Sequence, residues 1–152
     1  MSSTVQLVQE TIQNLGNKRG NLLPVLQTIV KEERYLSEES LRTIAKEMDL
    51  SAADVYGVAS FYSFLDLQPR GLNIIRICKT ITCYMKGKDD IIKTLENRLK
   101  IKLGETTPDN KFSFLGINCI GWCHEGPAML INDKVYTKLT PEKAIKAIEE
   151  YL

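Results

Sequence analysis

The sequence predicts an α/β chain in two parts: a small bundle of short amphipathic helices over residues 1–70, then a strand, helix, strand, hairpin and helix over residues 71–152. Three observations carry this reading. Apolar residues recur at helical spacing as far as FYSFL, the pattern shortens to that of a strand at LNIIRIC, and LQPRG between them supplies a proline and a glycine. A chain of 152 residues can bury a real core without crosslinks, and 43% hydrophobic with 26% charged residues is a globular composition.

The first apolar run, Val5, Leu7, Val8, Thr11, Ile12 and Leu15, stops at Gly16 and the polar turn NKRG. A second helix starts near Asn21 and carries Leu22, Leu23, Leu26, Ile29 and Val30. Pro24 falls in its first turn, where a missing N–H is not needed. Ser37 is placed to cap a third helix bearing Leu41, Ile44, Ala45 and Met48, and Ser51 with Asp54 opens a fourth through Val55, Val58 and Ala59. Phe61, Tyr62 and Phe64 follow, an aromatic group suited either to packing between the two parts or to a partner surface.

Past the boundary, residues 72–78 are short, isoleucine-rich and strand-like. Residues 88–100 have apolar positions at Ile91, Ile92, Leu95 and Leu99, with acidic residues first and basic ones last, as a helix dipole favours. A polar loop over 102–110 leads to a second strand over 111–118. Residues 128–131 and 134–137 make a hairpin around Asn132-Asp133, and Thr140-Pro141 opens the last helix. The simplest arrangement is helices laid on a four-stranded sheet.

The formal net charge is +1, with 7 basic and 9 acidic groups in residues 1–70 and 13 and 10 in residues 71–152. That leaves no field to attract nucleic acid. No stretch reaches the apolar length of a membrane span, and the segment MSSTVQLVQETIQNLGNKRG lacks the basic lead and apolar core of a signal peptide, so a cytoplasmic location without membrane insertion is expected. In a reducing compartment four cysteines are ligands or reactive thiols rather than structural disulfides.

Those cysteines are Cys78 and Cys83 in CKTITC, and Cys119 and Cys123 in CIGWC, with 35 residues between the pairs. Each pair follows a predicted strand, so both can leave the same edge of the sheet and bring four thiolates to one centre. That suits a 2Fe-2S cluster, in which each iron takes two thiolates and two sulfides. Structural zinc, a thiol-disulfide pair and unlinked buried cysteines are the alternatives. Lys79, Lys86 and Lys88 are expected to offset cluster charge, and Gly87, Gly121 and Gly126 to allow close backbone approach. His124 is a ligand, a proton-coupled neighbour or a surface group, and Trp122 a shield, a partner contact or plain packing. Pro127, before a strand, is a candidate cis proline by analogy with thioredoxin-like folds.

VYGVASFYSFL followed by PRG, then CKTITCYMKG, GETTPDNKFSF, CIGWC and GPAMLINDKVYTKLTPEKAIKAI together resemble the thioredoxin-like 2Fe-2S ferredoxin family from about residue 4 to the end. The resemblance implies a thioredoxin-like fold for residues 71–152, with Cys78, Cys83, Cys119 and Cys123 as the cluster ligands. It also implies an electron-transfer subunit, without catalysis of its own, in an NAD(P)-linked oxidoreductase. FMN and NAD(P) would then belong to a flavoprotein partner. GETTPDNKFSF and the compact length look most like the electron-bifurcating iron-iron hydrogenase type, which implies a hydrogenase subunit as a further partner. Respiratory NADH-quinone oxidoreductase and NAD-linked formate dehydrogenase are the alternatives. Trp122 and His124 depart from the family's usual second pair.

Overall fold

The computed structural model describes residues 3–152. The chain divides into two compact units, the first ending at Pro69 and the second running from Arg70 to Leu152.

The first unit holds four helices: α1 (Ser3–Leu15), α2 (Leu22–Glu33), α3 (Glu38–Glu47) and α4 (Ala52–Phe61). Their ends are set locally. Gly16, at φ +88°, turns the chain out of α1, and the Asn21 side-chain amide donates to the freed Leu15 carbonyl at 2.7 Å. Ser37 accepts from the Ser40 N–H at the start of α3, and Ser51 from the Asp54 N–H at the start of α4. The helices close over Val8, Ile12, Val25, Leu26, Ile29, Ile44 and Val55, all buried. Phe61, Tyr62 and Phe64 do not join this core. Phe61 is 78% exposed and the other two are also exposed, because α4 ends at Phe61 and the chain turns outward.

The second unit is a four-stranded sheet in the order β2-β1-β3-β4, formed by β1 (Asn73–Cys78), β2 (Phe112–Ile117), β3 (Met129–Ile131) and β4 (Lys134–Tyr136). β1 and β2 are parallel, and the two later pairings are antiparallel. A parallel pair needs a long crossover, supplied here by α6 (Lys88–Leu99). Ile75, Ile77, Phe112, Phe114, Met129 and Ile131 share a core with Ile91 and Leu95 of α6 and with Ala144, Ala147 and Ile148 of α7 (Pro141–Glu149). All of β1 is buried, which explains its nearly continuous apolar run.

The hairpin register is pinned by Asn132, whose φ of +54° suits a tight turn. Its side chain accepts from the Ile74 N–H at 2.9 Å and donates to Asn73 at 3.0 Å. One element was not legible in the sequence: α5 (Ile81–Met85), a single helical turn between β1 and α6.

Two glycines separate a backbone effect from a packing effect. A Cβ on Gly71 would lie 2.7 Å from the Phe112 carbonyl carbon, whereas one on Gly57, inside α4, meets nothing within 4 Å. Urea unfolding is expected to show Gly71→Ala destabilised by about 1–3 kcal/mol, and Gly57→Ala stabilised by about 0.5–1 kcal/mol.

Candidate metal centre

Cys78 is the last residue of β1 and pairs in register with Ile117, the last residue of β2. The parallel strands therefore release both cysteine segments at one end of the sheet. The ladder continues one step beyond Cys78, where the Lys79 N–H donates to the Ile117 carbonyl at 2.9 Å. The first segment then enters α5, which carries Cys83. The second passes Cys119 and Gly121, makes a 3-10 turn over Cys123–Glu125, and reaches β3 through a cis Gly126–Pro127 peptide. The Cys78 N–H donates to the Ala128 carbonyl at 3.2 Å, so the approach to β3 closes against the end of β1.

All four cysteines are free thiols. Cys78 and Cys83 are each 1% exposed, whereas Cys119 is exposed and Cys123 half-buried. The site thus has a closed side and an open side. Cys119 and Cys123 hold their sulfurs 3.0 Å apart, and the Gly121 N–H donates to the Cys119 sulfur at 3.3 Å. Gly121 reaches that position at φ +89°.

Thr80 precedes α5 as its N-cap residue, but its hydroxyl lies 3.1 Å from the Cys78 sulfur rather than on an α5 N–H. Burial raises the Cys78 thiol. The hydroxyl and N–H of Thr80, with help from Cys83 and the Ile120 N–H, outweigh it and leave the thiol below its ordinary value. Burial dominates at Cys83 and pushes that thiol up, against a hydrogen bond from the Ala128 N–H. Cys123 is raised by its hydrogen bond to Cys119, then by burial and by negative charge on the other three sulfurs.

Cys83 and Cys123 thus resist ionisation in part because the other sulfurs are near. A compact cationic centre relieves that repulsion, as metal sites require of thiolate ligands. Among the described residues no three His, Cys, Asp or Glu side chains surround a single-ion position. Two pairs of sulfurs with N–H donors aimed at them fit the chemistry of a two-iron cluster, in which each iron would take its own pair.

Of the glycines expected to allow close approach, only Gly126 does so. A Cβ there would lie 3.2 Å from the Cys83 sulfur, while Gly87 and Gly121 meet nothing within 4 Å and instead supply positive φ. The lysines also divide. Lys79 lays its stem across Gly116, Lys88 pairs with Asp89 and sits 5.1 Å over the Tyr84 ring, and Lys86 reaches the second cysteine segment. His124 stacks on Trp122 with centroids 5.7 Å apart. Ile81, Tyr84, Met85 and Trp122 leave an apolar rim exposed, Met85 to 80%. Sequence reasoning missed Thr80 and the turn it opens. A threonine ahead of a one-turn apolar stretch closed by Lys-Gly is a cap signal that could have found both.

Residues 8–152 match the sequence profile described as thioredoxin-like 2Fe-2S ferredoxin. An NADH-quinone oxidoreductase subunit of Buchnera aphidicola (subsp. Acyrthosiphon pisum, strain APS) is 36% identical over 158 residues, which cover 99% of this chain and 98% of that protein. The HndA subunit of the NADP-reducing hydrogenase of Solidesulfovibrio fructosivorans is 35% identical over 144 residues, covering 95% of this chain and 84% of that one. Among solved structures, an NAD+-reducing NiFe hydrogenase in the air-oxidized state aligns with a TM-score of 0.72 over 86% of this chain, at 23% identity. The match spans 22% of that hydrogenase chain and bears on the fold alone.

The left-handed backbone at Gly121 is directly testable. Gly121→Ala is expected to cost about 1–2 kcal/mol in urea unfolding of the metal-free chain, and Gly121→Asn, which tolerates positive φ, less.

Proposed function

The chain belongs to the thioredoxin-like 2Fe-2S ferredoxin family, and on that footing we propose that Cys78, Cys83, Cys119 and Cys123 hold one 2Fe-2S cluster in the electron-transfer subunit of an NAD(P)-linked oxidoreductase complex. The observation that carries this assignment is the release of both cysteine pairs at one end of one sheet by adjacent parallel strands. When bound, the cluster takes up and returns one electron at a time.

The polypeptide does the rest. Thr80 and the Gly121 and Ile120 N–H groups point hydrogen-bond donors at sulfur, which favours the more negative, reduced state. Burial of Cys78 and Cys83 excludes water from one side. The exposed pair, with Trp122, Ile81 and Met85 around it, leaves the other side open to a redox partner. The helical unit, residues 1–70, and the sulfur-bearing unit, residues 71–152, act together as one subunit.

Relatives of nearly the same length are subunits of an NADH-quinone oxidoreductase and of an NADP-reducing hydrogenase. We read the partner as a flavoprotein that binds FMN and NAD(P), because a flavin converts two-electron hydride chemistry into the one-electron steps a cluster accepts. Within that class we place the chain in a cytoplasmic, electron-bifurcating iron-iron hydrogenase, a reading supported by the segment GETTPDNKFSF and by likeness to the hydrogenase subunit. Likeness to the NADH-quinone oxidoreductase subunit favours respiratory NADH oxidation as the second reading. No helix among the described residues is long and apolar enough to cross a membrane.

Cys119→Ala is expected to remove the visible absorption and the reduced-state EPR signal while keeping most of the helical circular dichroism; unchanged spectra would overturn the ligand assignment. A subunit census of the native complex, purified anaerobically through this chain and read by mass spectrometry, separates the finer readings. A flavoprotein with an iron-iron hydrogenase subunit supports the first, and a flavoprotein with quinone-reducing membrane subunits the second. Recovery of neither overturns both.

A further inference from the structure

One cation joins the two cysteine-bearing segments. Lys86, the residue after α5, donates its Nζ to the carbonyl oxygens of Cys123 at 3.0 Å and His124 at 3.1 Å. Both carbonyls belong to the 3-10 turn over Cys123–Glu125, whose one internal bond to them is a long one, 3.5 Å from the Gly126 N–H to the Cys123 carbonyl. The lysine stem crosses the bare Cα of Gly126. A Cβ at that position would lie 3.2 Å from the Cys83 sulfur, 3.5 Å from Lys86 Cδ and 3.6 Å from the Cys123 carbonyl oxygen. One cysteine from each pair and the lysine thus meet at a single glycine.

The far side of the same turn is held separately. The Glu125 carboxylate accepts from the Thr137 hydroxyl and from Lys138 Nζ, each at 3.1 Å, and its carbonyl accepts from the Lys138 N–H at 2.6 Å. Those contacts tie the turn to the segment before α7. Lys86 alone among the three lysines near the first pair ties it to the first cysteine segment, since Lys79 lies over Gly116 and Lys88 is paired with Asp89.

We propose that Lys86 is a positioning residue that straps the Cys119–Cys123 turn to the Cys83 helix and so closes two cysteine pairs into one four-sulfur site. The inference rests on the assignment of the four cysteines to one cluster. Its physical basis is general. A segment with glycines at 121 and 126 has a wide choice of backbone states when unrestrained, and two charge-assisted hydrogen bonds from one ammonium remove much of that choice. The same ammonium is a positive charge held on the Cys123 and His124 carbonyls, within the segment that carries two of the cysteines, and the charge around a cluster sets its potential.

The test uses the full-length chain in two states. In metal-free, reduced protein, Lys86→Met keeps the stem and loses the donors. Amide hydrogen exchange over residues 119–126 is expected to quicken about tenfold, the scale of one charge-assisted hydrogen bond, with α6 and α7 unchanged. In cluster-loaded protein the same variant is expected to release iron to a chelator faster, lower the midpoint potential and shift the reduced-state EPR lines, and Lys86→Arg to recover most of each. If Lys86→Met does not fold, Lys86→Gln is expected to move every readout in the same direction by less. Unchanged exchange over 119–126 overturns the strap. Faster exchange with an unchanged potential and unchanged EPR lines overturns its role in placing the sulfurs. A wild-type chain that takes up neither iron nor sulfide refutes the cluster assignment instead, and the exchange measurement then decides the strap by itself.

Discussion

The parallel pairing of β1 with β2 is the constraint on which the site depends. In-register pairing of Cys78 with Ile117 delivers two distant segments to the same end of the sheet. A parallel pair cannot be closed by a hairpin, so the chain between them must cross over the sheet, and α6 does this while burying Ile91 and Leu95 against β1 and β2. The crossover that completes the core is thus the same element that separates the two cysteine pairs by 35 residues. A one-residue slip in this register would turn the sulfur of Cys78 to the opposite face.

The second governing feature is electrostatic. Thiols gathered in one place suppress one another's ionisation, as at Cys123, whereas at Cys83 burial is the larger cause and the neighbouring sulfurs add to it. Cys78 escapes because Thr80 and the Ile120 N–H donate to it. Folding therefore gathers sulfurs of which two, Cys83 and Cys123, favour their neutral form. The division into a buried pair and an open pair then gives the centre a protected side and an approachable one.

The helical unit has its own core and caps, and needs nothing from the sulfur site to account for its fold. Its unusual feature is what it leaves outside: Tyr56, Phe61, Tyr62 and Phe64 are all exposed. Phe61 and Tyr62 meet edge to face, with ring centroids 5.0 Å apart.

Periodicity and capping residues by themselves determined most of the elements: the four helices of the bundle, the strands, the hairpin at Asn132 and the final helix opened by Thr140 and Pro141. These are decided within a few residues of chain, by side-chain spacing and by which donors a serine or threonine can reach. The position of each cysteine pair just beyond a strand was likewise legible in the sequence. Tertiary structure decided what spacing cannot carry. It made α5 helical although one turn is too short to show a period, and it turned Thr80 from a helix cap into a donor to sulfur. It gave Gly126 the role of close approach that had been assigned to three glycines, and singled out Lys86 from three neighbouring lysines. The roles of Gly126 and Lys86 depend on contacts between segments far apart in the chain, 78–87 against 119–128, and a local pattern contains no information about which distant carbonyl or sulfur will stand opposite a side chain.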